Sequence, residues 1–255
     1  MSLPIWTPAA LLSEAVPVKG RFWRLVEAQH RVSTLKLVDT LEEQTLLESL
    51  LEETKPAYPP ECAGMDYLLA TPFRYGAAYP HGSRFRRAGR TPGVFYCSAG
   101  VETAVAELAF YRLLFYAESP ETPLPQDAAE YSAFAVEVST KAGIDLTRGS
   151  LAADSARWGD RLHYEACQKL ADVAREADVE AIIYASVRDP AGGKNLVALT
   201  AKVFAVKAPV DRQTWRLRVT RRGVQALCDF PLERREFPLE VFVADERLKP
   251  LSLKD

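Results

Sequence analysis

Arginines cluster in a short segment that is bounded by glycines: Arg84, Arg86, Arg87 and Arg90. A guanidinium group matches two phosphate oxygens at once, and glycine lets the backbone approach a ligand closely. The surrounding stretch, 71–93, is rich in Gly, Pro and Arg, which is typical of a loop. This composition suits a loop that binds a diphosphate, although arginines of a solvated surface loop would give the same pattern.

Glu107 is an acidic residue in a stretch that is otherwise mostly apolar and aromatic, 101–116. The spacing predicts a helix from Val101 to about Ala117 that protein covers on most faces. Burial penalises the charged form of a carboxyl group, so Glu107 needs a cation or hydrogen-bond donors, which Arg112 or the arginine segment could supply. Two hypotheses follow: a purely structural Glu–Arg pair, or a carboxylate that stabilises developing positive charge or holds a hydroxyl group.

Ser186 and Tyr96 belong to short predicted strands. Ser186 lies near the end of the apolar strand 181–187, before a turn with two glycines, and such strand ends commonly face binding crevices. Tyr96 lies in the strand 94–97, before the Glu107 helix, and its ring could stack on a flat ligand. A satisfied core hydroxyl and a core aromatic ring are the alternative interpretations.

Length and composition exclude several classes of protein. With 255 residues, 48% of them hydrophobic, the chain can form a core in one or two domains. The 32 basic and 34 acidic residues give a net charge of -2, so no overall positive field draws the protein to a polyanion. Arginines near Trp215 could still contact nucleic acid, but a solvated strand face explains them better: Arg216, Arg218, Arg221 and Arg222.

Motifs for metals, cofactors and membranes are missing from the sequence. His30, His81 and His163 lack the spacing of metal ligands, and neither a phosphate-binding nor a dinucleotide-binding glycine motif occurs. No run of 18 apolar residues occurs either. The four cysteines are far apart and form no C-x-x-C pair, so we expect reduced thiols in a cytoplasmic protein without a bound metal or cofactor.

Strands and helices are mixed along the chain without strict βαβ alternation. This pattern favours an α+β fold with a mixed or antiparallel sheet core and flanking helices. A capping box at Thr40 and Glu43 begins one helix, which ends before Pro56, and another helix is predicted over 158–177. The remaining predicted strands are 21–27, 131–138, 196–205, 214–219 and 238–243.

Several short motifs follow one another along the chain: Trp23-Arg24, Gly82-Ser83-Arg84-Phe85, Gly93-Val94-Phe95-Tyr96, Thr103-Ala104-Val105-Ala106-Glu107, Ser186-Val187-Arg188-Asp189 and Asn195. Together they resemble the RES-domain family, which is named after an arginine, a glutamate and a serine. The resemblance spans about residues 20–205. We therefore predict a RES-like catalytic domain over 61–255, on which a strand and helical extension over 1–60 packs.

The resemblance implies a fold related to ADP-ribosyltransferases and an enzyme that destroys NAD, by phosphorolysis or hydrolysis, as the toxin of a toxin–antitoxin pair. NAD is then the substrate, and inorganic phosphate is the co-substrate of phosphorolysis. The expected partners are a helix-turn-helix antitoxin and a second copy of the chain, with no direct contact to nucleic acid or membrane. The implied catalytic residues are Arg84, Tyr96, Glu107 and Ser186, and the implied substrate-binding residues are Arg24, Arg86, Arg188 and Asn195.

The chemistry of these residue types agrees with the resemblance. Breaking the nicotinamide–ribose bond builds an oxocarbenium-like centre, which the Glu107 carboxylate could stabilise. Arg84 and Arg24 would bind phosphate groups, Tyr96 would stack on nicotinamide or ribose, and Ser186 would hydrogen-bond the ribose or the carboxamide. Two alternatives stay open: an ADP-ribosyltransferase that modifies a macromolecule, and a non-catalytic regulator associated with nucleic acid.

Overall fold

The computed structural model describes residues 6–27, 34, 37–74, 82–89 and 92–252. The helices are α1 (Pro8–Ser13), α2 (Leu41–Glu53), α3 (Tyr67–Arg74), α4 (Val101–Glu118), α5 (Ser155–Trp158), α6 (Glu165–Glu176) and α7 (Lys249–Ser252). The strands are β1 (Val16–Glu27), β2 (Phe95–Ser98), β3 (Ala129–Asp145), β4 (Ala181–Ala185), β5 (Lys194–Ala198), β6 (Asp211–Thr220), β7 (Gly223–Cys228) and β8 (Glu233–Pro238).

These strands form one sheet in the order β1-β2-β5-β4-β3-β6-β7-β8, and β1 also pairs with β3. The strand pair β3–β4 is parallel, and the other pairs are antiparallel. Because β1 pairs with both β2 and β3, the first five strands close into a ring, from which β6, β7 and β8 extend. The predicted α+β fold with a mixed sheet is thus confirmed.

Helices cover the two faces of the sheet differently. One face carries Phe95 and Phe134 and packs against α3. On the other face, α4 covers Trp215 of β6 and α6 covers Val197 of β5. We call this second face the α4/α6 face.

One row of paired residues crosses the α4/α6 face from strand to strand. Trp23 pairs with Ser98, and Ser98 pairs with Asn195, which pairs with Tyr184. Directly paired residues point to the same face of a sheet. Because Trp23 packs in the cluster under α4 and Tyr184 in the cluster under α6, the middle of the row lies between the two helices.

The strand predicted over 238–243 is wrong. A 3-10 turn over Leu239–Val241 occupies this segment, and the two strands that follow β6 come earlier in the chain, as β7 and β8. The edge strand β8 has the sequence ERREFP and buries little more than Phe237. It therefore lacks the hydrophobic alternation that identifies a strand in a sequence.

The helix predicted over 158–177 is divided into α5 and α6. Asp160 accepts hydrogen bonds from the backbone N–H groups of Leu162 and His163, both at 2.8 Å, and this side chain holds a turn where a helix was expected. The stretch predicted as loop, 71–93, begins inside α3, which packs through buried leucines and Phe73. Other predicted residues of interest lie outside the described ranges: His30, His81 and Arg90.

The predicted N-terminal extension contains two elements with different surroundings. Strand β1 pairs with β3 from Val16 to Glu27 and belongs to the sheet ring. Helix α2 begins at the predicted capping box of Thr40 and Glu43, but none of its residues is buried. A contact between Glu52 and Arg74 links α2 to α3. The division of the chain at residue 60 stays a prediction.

The described helices include none that is long and apolar enough to cross a membrane. Within the same residues, no group of three or more histidine, cysteine or acidic side chains could hold a metal ion. All four cysteines are buried and unpaired: Cys62, Cys97, Cys167 and Cys228.

Candidate active site

Glu107 lies on α4 and is held by two neutral donors. Its Oε1 accepts a hydrogen bond from Ser186 Oγ at 2.7 Å and another from Asn195 Nδ2 at 2.6 Å. Of the two alternatives, a cation or hydrogen-bond donors, the structure has the donors. Arg112 is not the partner of Glu107, because it pairs with Glu27 at 3.5 Å and lies over the rings of Phe115 and Tyr116. Since no ion pair within the described ranges involves Glu107, the hypothesis of a structural Glu–Arg pair is not supported.

The Ser186 hydroxyl can donate its hydrogen bond only to Glu107. The Ser186 Oγ accepts hydrogen bonds from the backbone N–H groups of Arg188, at 3.2 Å, and Asp189, at 3.0 Å. A hydroxyl oxygen has two acceptor lone pairs and one hydrogen, so both lone pairs are occupied and the hydrogen points to the carboxylate. Ser186 therefore fixes the orientation of Glu107.

Asn195 is oriented in the same way from the other side of the carboxylate. Its Oδ1 accepts a hydrogen bond from Ser98 Oγ at 2.7 Å, which leaves the amide nitrogen to donate to Glu107. Both residues are buried, and they pair directly between β2 and β5. Ser98 is thus a site residue that the sequence did not reveal.

The second carboxylate oxygen of Glu107, Oε2, is open. It accepts no hydrogen bond from the residues that the structure describes, and the buried polar atoms that lack a partner are all arginine nitrogens. An oxygen that is neither bonded nor enclosed reaches accessible space. Glu107 therefore presents one carboxylate oxygen, without a hydrogen-bond partner among the described residues, to any ligand in this region.

Tyr96 anchors the arginine segment on the α4/α6 face. Its hydroxyl oxygen accepts a hydrogen bond from Phe85 N at 3.0 Å and lies 2.8 Å from Ser83 Oγ. Burial raises the pKa of Tyr96 above its ordinary value, so the phenol stays neutral. Gly82 makes the turn into this segment with φ +63°, and a side chain there would meet the Arg86 backbone.

The arginine segment is not a solvated loop in its described part. Arg84 is 9% exposed; its Nη1 donates to the Trp158 carbonyl at 2.5 Å, and its guanidinium lies over the Tyr164 ring. Arg87 pairs with Asp172 of α6 at 2.7 Å. Arg86 is half-buried, and burial lowers the pKa of its guanidinium.

Arg24 and Arg188 have surroundings that the sequence did not suggest. Arg24 Nη1 donates to the Tyr96 backbone carbonyl at 2.8 Å, and its guanidinium lies over Phe95, whose ring is on the opposite face of the sheet from the Tyr96 ring. Arg188 is buried, pairs with Asp245 at 2.7 Å and lies over the Phe110 ring. The guanidinium of Arg188 is therefore engaged by the protein itself.

Two tyrosines that sequence reasoning missed also lie near Glu107. Tyr184 precedes Ser186 by two residues and so faces the same side of its strand; Tyr111 follows Glu107 by one helical turn, on the same side of α4. Burial raises the pKa of Tyr184 well above its ordinary value, and the Glu107 charge raises it further. Both spacings were visible in the sequence and could have identified these residues.

The arginines near Trp215 do not form a mixed aromatic and basic surface. Trp215 is completely buried under α4. Arg216 and Arg218 are exposed on the opposite side of β6, where Arg216 pairs with Asp229 at 2.5 Å. The Trp215 ring therefore offers no stacking platform for bases beside these arginines.

Comparison with known proteins identifies the family. The family model of the RES domain matches residues 58–220, which is more than half of the chain, and the protein therefore belongs to the RES-domain family. No curated protein matches it significantly. Among solved structures, it is similar to a chain in the crystal structure of the M. tuberculosis MbcT-MbcA toxin-antitoxin complex, with 14% identity and a TM-score of 0.46 over 82% of this chain and 92% of that chain.

Proposed function

We propose that the protein cleaves the bond between nicotinamide and ribose in NAD. The observation that carries this proposal is the state of the Glu107 carboxylate: one oxygen is fixed by two neutral donors, the other is open, and no cation within the described residues pairs with it. A carboxylate held in this way keeps its negative charge available for a cationic centre. Membership of the RES-domain family is the second support.

In the proposed reaction, the bond between ribose C1′ and the nicotinamide nitrogen breaks, and its electron pair goes to the nicotinamide ring. Nicotinamide leaves as a neutral molecule, and positive charge develops on C1′ and the ribose ring oxygen, as in glycoside cleavage. Glu107 would stabilise that charge. Because Ser186 and Asn195 already hold its other oxygen, the carboxylate would not have to reorient during the reaction.

Water or inorganic phosphate would replace nicotinamide on C1′. Water would add its oxygen to C1′ and release a proton to give ADP-ribose, whereas phosphate would add one of its oxygens to give a sugar phosphate. Arg24 lies over Phe95, on the opposite face of the sheet from the Tyr96 ring, so it would support this site through its hydrogen bond to the Tyr96 carbonyl and not by contact with the phosphate. We propose that Arg84 and Arg86 contact the diphosphate of NAD.

Incubation of the pure protein with NAD, with and without inorganic phosphate, tests the proposal. Chromatography follows free nicotinamide, and mass spectrometry identifies the other product. Nicotinamide release that requires phosphate indicates phosphorolysis, and ADP-ribose in both reactions indicates hydrolysis. A preparation free of partner proteins that releases no nicotinamide contradicts the proposal.

We further propose that this activity makes the protein the toxin of a toxin–antitoxin pair, with a helix-turn-helix protein as the antitoxin. The support is membership of the RES-domain family. Expression of the chain should then arrest bacterial growth, and co-expression of the protein encoded beside it should restore growth. Growth arrest by the wild-type chain and by Glu107→Gln alike would separate any toxicity from NAD cleavage.

A further inference from the structure

Tyr184 has a buried ring and an unused hydroxyl group. The residue is 7% exposed, and its ring packs against Phe85 at a centroid distance of 4.9 Å. The hydroxyl makes no hydrogen bond with any described residue. Among the described residues, the polar atoms that are fully enclosed and lack a partner are all arginine nitrogens, so the Tyr184 hydroxyl is not fully enclosed. The small exposed part of Tyr184 therefore includes its hydroxyl.

The surroundings of this hydroxyl are those of the candidate active site. Tyr184 pairs directly with Asn195, the donor that holds Glu107. The charges of Glu107 and Arg84 both act on the Tyr184 phenol, Glu107 raising its pKa and Arg84 lowering it. The hydroxyl thus reaches accessible space close enough to Glu107 and Arg84 for both charges to act on it.

We propose that the Tyr184 hydroxyl binds the ribose that carries nicotinamide, as the neutral partner of Glu107 Oε2. This inference rests on the proposed function and adds a substrate-binding residue to it. A hydroxyl that both donates and accepts, together with an oxygen that only accepts, fits a sugar hydroxyl, which can accept from Tyr184 while it donates to Glu107. A phenylalanine would fill the same space without leaving a polar atom to be satisfied.

The variant Tyr184→Phe tests the inference, because it removes the hydroxyl and keeps the ring. Tyr131→Phe is the matched control: the Tyr131 ring is also buried and its hydroxyl also makes no hydrogen bond with a described residue, but its charged neighbours are Arg112 and Glu27. Calorimetry would measure the binding of ADP-ribose, which contains the second ribose, and of ADP, which lacks it. NAD turnover would be measured in parallel.

We expect Tyr184→Phe to weaken ADP-ribose binding by roughly three- to tenfold, the effect of one lost hydrogen bond, and to leave ADP binding and the melting temperature unchanged. Tyr131→Phe should change neither affinity. Unchanged ADP-ribose affinity in Tyr184→Phe, or equal weakening of both ligands, would overturn the inference while wild-type NAD cleavage still supports the proposed function. A wild-type protein that binds ADP-ribose but does not cleave NAD would refute only the proposed function. A wild-type protein that neither binds ADP-ribose nor cleaves NAD would refute both the proposed function and the inference.

Discussion

At the scale of single residues, the decisive feature is how the hydrogen bonds around Glu107 are shared. Ser98 donates to Asn195, Asn195 and Ser186 donate to Glu107, and two backbone N–H groups donate to Ser186. Each donor is oriented by a group behind it. The arrangement therefore sets the position of the carboxylate before any ligand arrives, which is what electrostatic stabilisation of a transition state requires.

The substitution Glu107→Gln should remove most NAD turnover and leave the fold intact. The amide keeps the volume of the side chain and an oxygen that can accept from Ser186 and Asn195, but it lacks the negative charge. We expect turnover to fall by about 100-fold or more, as for other losses of a transition-state charge contact, with little change in melting temperature. The measurement is nicotinamide release together with thermal unfolding.

Glu118→Gln is the control for this change, because Glu118 is exposed at the end of the same helix. Its turnover should equal that of the wild type. If Glu107→Gln unfolds, Glu107 has a structural role. If the variant turns over NAD at the wild-type rate, the charge of Glu107 is not needed for catalysis. Either result would mean that the assignment of the site is wrong.

The sequence was informative about single residues that stand out from their surroundings. Glu107 could be predicted because it is a carboxylate in an apolar helix, and Ser186 because it ends an apolar strand. Ser98 and Asp245 could not, since their roles depend on partners 97 and 57 positions away. Such contacts are set by strand register and by the path of the chain, which local patterns do not encode.

At the scale of elements, the turn between β4 and β5 joins the site to the rest of the molecule. Asp189 accepts a hydrogen bond from Thr103, in the first turn of α4, at 2.7 Å, so the turn and the Glu107 helix are tied together. On its other side, Arg188 is buried against Asp245, which follows β8. The segment after β8 thereby supports the turn that positions Ser186.

The substitution Asp245→Asn should strongly destabilise the protein. Asp245 and Arg188 are both almost completely buried and 2.7 Å apart, and removing one partner leaves a buried charge uncompensated. We expect the free energy of unfolding to fall by about 3 kcal/mol, measured by urea denaturation. Asp229→Asn removes an exposed pair with Arg216 and should cost less than about 1 kcal/mol; equal effects of the two changes would contradict this prediction.

The same carboxylate makes part of the stability depend on pH. Burial alone would raise the pKa of Asp245, but hydrogen bonding to Arg247 and the charges of Arg188 and Arg247 outweigh it and lower the pKa. A carboxyl group whose pKa is lower in the folded than in the unfolded chain stabilises the fold above about pH 4. This contribution is lost as the pH falls through the folded pKa, because both states then bind the proton.

We therefore expect the free energy of unfolding of the wild type to decrease below about pH 5, and to decrease less in Asp245→Asn. Urea denaturation at several pH values between about 7 and 3 measures both slopes. Parallel curves for the two proteins would mean that Asp245 does not titrate in this way.

At the scale of the whole molecule, the fold extends beyond the segment that matches the family. The RES match ends at residue 220, but Val224, Phe237 and Leu248 belong to the hydrophobic cluster that packs under α4. The α+β class could be predicted from the mixture of patterns. The closure of the ring by β1 and β3 could not be predicted, because the sequence patterns of both strands are equally compatible with an open sheet.

A chain truncated after Thr220 should therefore fail to fold and should not cleave NAD, although it keeps the whole family match. The truncation removes β7, β8 and Asp245, so α4 loses apolar partners and Arg188 loses its carboxylate. Far-ultraviolet circular dichroism during heating and nicotinamide release would measure both effects. As a control, Leu46→Ala with Leu50→Ala on the exposed face of α2 should unfold with nearly wild-type cooperativity, since exposed side chains contribute little to the core. A truncated chain that unfolds cooperatively and releases nicotinamide would limit the catalytic unit to the matched segment.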